Sequence, residues 1–179
     1  MSGLLRLLKI ALSRGRVTIK YPYEKTEIPL ELRGKPEIDF NLCIGCGGCA
    51  NVCPPSAITI EDVGNRRILR LNYYRCIFCG RCEENCPTGA IRLTNEFEIA
   101  SLDKKDLTIT AEFELVRCKK CGRPFATRRL IETITNYLLS VDISYKEDLK
   151  EMIWLCPECR RKECAEILSR SKFFRREEL

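Results

Sequence analysis

The chain has 179 residues, 13 of them cysteine and none histidine, a length that suits one or two domains with a modest core. Without histidine the commonest general base and the commonest nitrogen ligand are both missing, so any metal site must rest on thiolates. The formal charge of +6 comes from basic residues interleaved with acids, as around Glu147 to Glu151, Glu163 and Glu166, which argues against a nucleic-acid stripe.

Residues 4 to 12 place Leu4, Leu5, Leu8, Ala11 and Leu12 on one helical face and Arg6 and Lys9 on the other, with Arg14 and Arg16 beyond. This pattern predicts a short amphipathic helix. By itself the pattern suits a membrane interface, a partner's groove or a helix folded onto its own core. Arg6 and Lys9 also break the apolar stretch that a signal peptide of the usual form would need, and no apolar run approaches the ~20 residues that span a bilayer. Residues 17 to 41 read as an extended arm. Tyr21-Pro22, Ile28-Pro29 and Lys35-Pro36 each push the residue before proline out of helical geometry. The arm's apolar content (Val17, Ile19, Tyr21, Tyr23, Leu30, Leu32) predicts that it lies across another surface.

Eight cysteines follow in two runs, Cys43-x2-Cys46-x2-Cys49-x3-Cys53-Pro54 and Cys76-x2-Cys79-x2-Cys82-x3-Cys86-Pro87. This is the pattern that binds cubane iron–sulfur clusters in two-cluster bacterial ferredoxins, where the fourth cysteine of each run ligates the other cluster. The expected ligand sets are Cys43, Cys46, Cys49 and Cys86 for one 4Fe-4S cluster, and Cys76, Cys79, Cys82 and Cys53 for its neighbour. Ile44 and Ile77 would shield the cubanes or simply pack. The runs are 33 residues apart, and the same offset matches Ala57-Ile58 with Ala90-Ile91 and Ile60 with Leu93, so two copies of one structural unit are expected. Each copy predicts a cluster loop, a short helix through the x3 segment and a strand after the proline, at Ala57 to Ile60 and at Ala90 to Leu93. A further strand, Arg67 to Tyr74, follows the hairpin signal Gly64-Asn65. The fold class predicted is α+β, a bacterial-type dicluster (8Fe-8S) ferredoxin fold with both cubanes inside and much of its stability drawn from metal.

Residues 95 to 116 alternate like a strand through Leu107, Ile109, Phe113 and Leu115. Beyond them, Cys118-Lys-Lys-Cys121-Gly122 and Cys156-Pro-Glu-Cys159 form paired C-x2-C knuckles, the donor set of a tetrahedral four-thiolate site. Zinc is preferred there over mononuclear iron, which accepts the same geometry. The interval between the pairs is longer than a simple zinc ribbon's and predicts two helices: Thr127 to Leu139, and one opened by the capping-box pattern Ser144-Tyr-Lys-Glu147. Cys164 is left as a buried thiol or a spare ligand, and the charge-rich tail from Arg170 reads as a solvated or frayed helix end. Two oxidised cubanes and a four-thiolate zinc would carry about −2 each, and these three groups bring the formal +6 to roughly zero.

Taken in order, Tyr21-Pro22, Arg33-Gly34-Lys35-Pro36, the two cysteine runs and Cys86-Pro87-Thr88 resemble the two-cluster ferredoxin subunit of complex I and of energy-converting membrane hydrogenases. The C-terminal Cys118-Lys-Lys-Cys121-Gly-Arg-Pro-Phe and Cys156-Pro-Glu-Cys159, with Cys164, resemble the extension on the iron–sulfur subunit of formate hydrogenlyase and related hydrogenase complexes. That resemblance implies a non-catalytic electron carrier, peripheral on the cytoplasmic side of the cell membrane with its N-terminal helix at the membrane surface. Its implied partners are the hydrogenase-type small and large subunits, the membrane-arm subunits and a peripheral donor module or ferredoxin, with no nucleic acid. The same relay could serve a complex I-type quinone reductase or a sulfane reductase, or the chain could be a free dicluster ferredoxin. The division expected is 1–36 helix and docking arm, 37–100 two-cluster domain, 101–116 connector and 117–179 four-cysteine extension.

Overall fold

A computed structural model describes residues 3–15, 18, 20–24, 28–29, 31–141 and 146–170. Arg16, Val17, Ile19 and Leu30 of the arm, Ser144 of the capping box and the tail beyond Arg170 lie outside these residues. The chain divides into two units, Met1–Leu32 and Arg33–Leu179.

The first unit opens with α1, Gly3–Arg14, none of whose residues is buried. Its leucines stay in the open, Leu4 76% and Leu12 75% exposed. Further along, Tyr23 N–H and Glu24 N–H both donate to the Lys20 carbonyl, forming a turn that the Lys20–Glu24 ion pair braces. No described helix is long and apolar enough to cross a membrane.

The second unit repeats itself down to its strand register. Strand β1 (Pro36–Ile38) pairs antiparallel with β4 (Ile91–Leu93), Pro36 opposite Leu93 and Ile38 opposite Ile91. Displaced by the 33-residue offset, the same pairs become Leu69 opposite Ile60 and Leu71 opposite Ile58, joining β3 (Arg66–Asn72) to β2 (Ile58–Val63). Even the flanking bonds match, with Asp39 N–H to Ala90 O at 2.7 Å and Asn72 N–H to Ala57 O at 2.8 Å. The β2–β3 hairpin turns on Gly64-Asn65, with Gly64 at φ 59, as a two-residue turn requires. Between the strands lie two single-turn helices, α2 (Gly48–Asn51) and α3 (Arg81–Glu84), each starting just ahead of the x3 segment where the sequence places it.

The arm's end is tied to the second repeat. Gly34 N–H donates to Thr94 O and Lys35 N–H to Glu96 O, and the Lys35 ammonium pairs with Glu96. Gly34 lies so close to this edge that a Cβ there would sit 2.2 Å from the Glu96 carbonyl oxygen. Ile38, Ile58, Leu69, Leu71, Tyr73, Ile91 and Phe113 form the core between the repeats, with Cys43, Cys49, Cys53, Cys82 and Cys86 around it.

The expected connector is mostly strand. Strand β5 (Thr108–Arg117) runs along β3 from Asn72 opposite Thr108 to Arg66 opposite Glu114. Strand β6 (Pro124–Thr127) then pairs with β5 past a bulge at Val116–Arg117. One antiparallel sheet, β2-β3-β5-β6, therefore spans the cluster repeats and the extension. Three helices complete the unit: α4 (Arg128–Ser140), α5 (Lys146–Ile153) and α6 (Pro157–Arg170). The Thr127 side chain caps α4 by accepting from Leu130 N–H, so the helix expected from Thr127 begins one residue later. Helix α6 was not foreseen, although Pro157 at its first position is a start signal.

Candidate iron–sulfur and thiolate metal sites

The cysteine runs fold alike because the backbone bends alike. Positive φ occurs at Gly45, Gly47 and Ser56 in the first run and, at the same offset, at Phe78, Gly80 and Gly89 in the second. These left-handed residues curl each loop so that its amides and thiols face inward, a conformation glycine adopts without cost and Phe78 and Ser56 adopt with strain. Gly47 and Gly80 cap α2 and α3. The fourth cysteine of each run accepts the N–H four residues on, Ala57 to Cys53 Sγ and Ala90 to Cys86 Sγ, both at 3.2 Å. Amide donors to a sulfur favour its thiolate, the form that binds iron.

Cys53, Cys76, Cys79 and Cys82 line one small, largely apolar cavity, together with Pro36, Ile58, Leu71 and Leu93. The set contains three cysteines of the second run and the fourth of the first. On the other side, Cys43 is pushed up by burial and by the neighbouring thiols of Cys46 and Cys86, again a cross-run grouping. Burial pushes Cys49 up to about 12, helped by Cys43 and Cys46, and Cys82 up to about 11. Thiols so crowded and buried resist ionisation unless a cation balances them, which is what a cluster's irons supply.

The C-terminal four are closer still. The Sγ atoms of Cys118, Cys121, Cys156 and Cys159 all lie within 4.8 Å of one another, and Cys121 Sγ is 3.7 Å from Cys156 Sγ. Four sulfurs about 2.3 Å from a central zinc would be about 3.8 Å apart, so the donor set fits a tetrahedral ion. Burial opposes ionisation of Cys118, but N–H groups of Cys156, Cys121 and Lys120 hold it down at about 6, while its neighbours' thiols, Cys156 foremost, and burial push Cys159 up to about 12. The knuckle is closed by Cys118 N–H to Arg123 O and Gly122 N–H to Cys118 O, both 2.9 Å, and tied to the helices by Lys119 N–H to Trp154 O.

A family model described as a 4Fe-4S dicluster domain matches residues 42–90. Over 159 residues the chain is 40% identical to formate hydrogenlyase subunit 6 of Escherichia coli K12, covering 88% of each protein. The chain belongs to the formate hydrogenlyase subunit 6 family. The resemblance read from its cysteine runs is thereby borne out. This family member is also 36% identical over 134 residues to the chloroplastic NAD(P)H-quinone oxidoreductase subunit I of Phoenix dactylifera, covering 70% of this chain and 80% of that protein. Among solved structures it matches a chain of the membrane-bound sulfane sulfur reductase, an archaeal respiratory membrane complex, at 30% identity and a TM-score of 0.42, covering 60% of this chain and 59% of that one.

In this member of the formate hydrogenlyase subunit 6 family, the first cluster loop has contacts that the sequence did not announce. The Thr127 hydroxyl, fully buried, donates to Ile44 O, and Arg129 Nη1 donates to Phe40 O and, at 3.2 Å, to Cys43 O. Arg67 Nη1 reaches Gly45 O at 3.1 Å while its other guanidinium nitrogens pair with Asp62. A helix starting near Thr127 was legible, but the partner of its hydroxyl, 83 residues away, has no signature in the chain.

Proposed function

We propose that this chain is a non-catalytic electron-relay subunit, passing electrons through two 4Fe-4S clusters between a donor module and the small-subunit cluster of a membrane-bound, formate hydrogenlyase-like complex. Cys43, Cys46, Cys49 and Cys86 would hold one cluster and Cys76, Cys79, Cys82 and Cys53 the other, in a bacterial-type dicluster ferredoxin fold. The observation that carries this reading is the cavity lined by the four cysteines of the second set, within repeats that share strand register and left-handed turn positions. Bound clusters supply one-electron redox chemistry, and the chain's part is to hold them at fixed spacing in an apolar shell that excludes water and sets their potentials.

Along the chain, residues 1–36 serve docking, 37–100 hold the clusters, 101–116 link them through the common sheet, and 117–179 carry a mononuclear metal, zinc in preference to iron, on Cys118, Cys121, Cys156 and Cys159. The exposed leucines of α1 suit a membrane surface, and this reading has the subunit peripheral on the cytoplasmic side, against hydrogenase-type small and large subunits and membrane-arm subunits. The similarity to quinone oxidoreductase subunit I favours, as a second reading, the same relay in a complex I-type enzyme.

Anaerobic metal and sulfide analysis with low-temperature paramagnetic resonance tests the proposal. About eight irons, eight sulfides and one zinc, with two magnetically coupled signals after reduction, are expected. Fewer than about four irons from an oxygen-free preparation would sink the relay. Recovery only in the soluble fraction of cells would favour a free ferredoxin.

A further inference from the structure

The two cysteine runs are twins in spacing and backbone, yet their loops meet different surroundings. Gly45 in the first loop lies under Thr127 and Phe113, whose atoms would be 2.9 and 3.0 Å from a Cβ placed there. At the matching position the second loop carries Phe78, beside Ile77, which is 60% exposed. The first loop's carbonyls at Phe40, Cys43, Ile44 and Gly45 all accept from side chains beyond the loop: Arg129, Arg129, Thr127 and Arg67. On the second loop the corresponding cationic contact among the described residues is Arg33 Nη1 to Cys79 O, at 3.5 Å, the limit of a hydrogen bond.

Of the cations on the first loop, Arg67 has its charge offset by Asp62. Arg129 makes no ion pair with an acid among the described residues, and its guanidinium is spent on two loop carbonyls. It stands in the first turn of α4, which Thr127 caps, and β6 carries Thr127 out of the Cys118–Arg123 knuckle. Phe125 of that strand packs both against the thiolate set and against the Val116–Ile131–Ile153 cluster behind α4. The extension thus delivers an exposed cation to one cluster loop through a short, partly buried strand.

We infer that Arg129 is a positioning residue that sets the potential of the first cluster, held there by the four-cysteine site, so that the extension makes the two clusters unequal. This rests on the reading that Cys43, Cys46, Cys49 and Cys86 bind a cluster. Reduction adds one negative charge to a cluster, and a fixed cation nearby stabilises that state. A unit charge about 10 Å away, at an effective dielectric near 20, changes the ratio of reduced to oxidised cluster on the order of tenfold.

The test is a redox titration followed by paramagnetic resonance on full-length, anaerobically loaded protein, comparing Arg129→Met, Arg129→Gln and Arg129→Lys with the unaltered chain. At a fixed ambient potential, Met and Gln should lower the reduced fraction of the first cluster about tenfold, equivalent to about 59 mV for one electron. Lys should restore most of it, and the second cluster should barely move. Cys159→Ser, which dismantles the four-cysteine site, should shift the same signal in the same direction. Selective loss of half the iron in the Met and Gln variants would show that Arg129 only holds the loop together and would overturn the inference. Equal shifts in both clusters, or none with iron and sulfide intact, would overturn the inference. Lack of iron in the unaltered chain would instead strike at the cluster reading itself.

Discussion

Gly45→Ala is the sharpest probe of how the extension meets the first cluster loop. Two costs apply: a left-handed backbone at φ 64, worth about 1–2 kcal/mol for a side chain, and the collision with Thr127 and Phe113. Gly64→Ala separates them, because Gly64 has a similar φ of 59 and nothing within 4 Å of a Cβ. Thr127 cannot step aside, being fully buried with its hydroxyl engaged by both Ile44 O and Leu130 N–H. Phe113 is wedged in the core at 7% exposure. Overpacking of this kind costs about 1–3 kcal/mol, so Gly45→Ala should lose its clusters on heating roughly 3–10 °C below Gly64→Ala. Visible absorbance during an anaerobic thermal ramp reads this directly. Equal midpoints for the two variants would refute a tight seat for Thr127 and Phe113 on the loop.

Gly34→Ala puts a methyl 2.2 Å from the Glu96 oxygen and 2.6 Å from that of Thr94, both backbone atoms, so the arm should detach and limited proteolysis near Arg33 should accelerate severalfold. Tyr73→Phe removes the buried bond from Tyr73 Oη to Pro36 O at 2.8 Å and should cost about 1–2 kcal/mol, read as a lower denaturant midpoint with full iron content. Cys159→Ser should abolish the mononuclear metal while leaving about eight irons by elemental analysis, since its donor set is separate from the cluster cysteines.

The parts of the fold that repeat were legible because metal coordination writes its geometry into spacing. The 33-residue offset, the hairpin at Gly64-Asn65 and the helix beginning near Thr127 could be read because each rests on local chemistry. The cross-run grouping was an expectation from cluster ligation, and Cys53, Cys76, Cys79 and Cys82 line one cavity. What stayed hidden is long-range. Nothing in Leu107 to Leu115 says that this strand lies on β3, because alternation gives a face and no partner. Arg129 looks like any exposed helix cation until the fold sets it beside Cys43. Helix α6 was hard to read because its apolar face is weakly patterned.

The shared sheet has a consequence for any attempt to shorten the protein. Strand β3 has a partner on each side, and all seven of its residues, Arg66–Asn72, are matched along β5. A fragment ending near residue 100 would keep every cluster cysteine yet leave that flank bare, a row of unclaimed amides and carbonyls inviting a second molecule to zip on. The extension is thus no detachable cassette: its strand β5 covers a flank of β3 that would otherwise be an open edge.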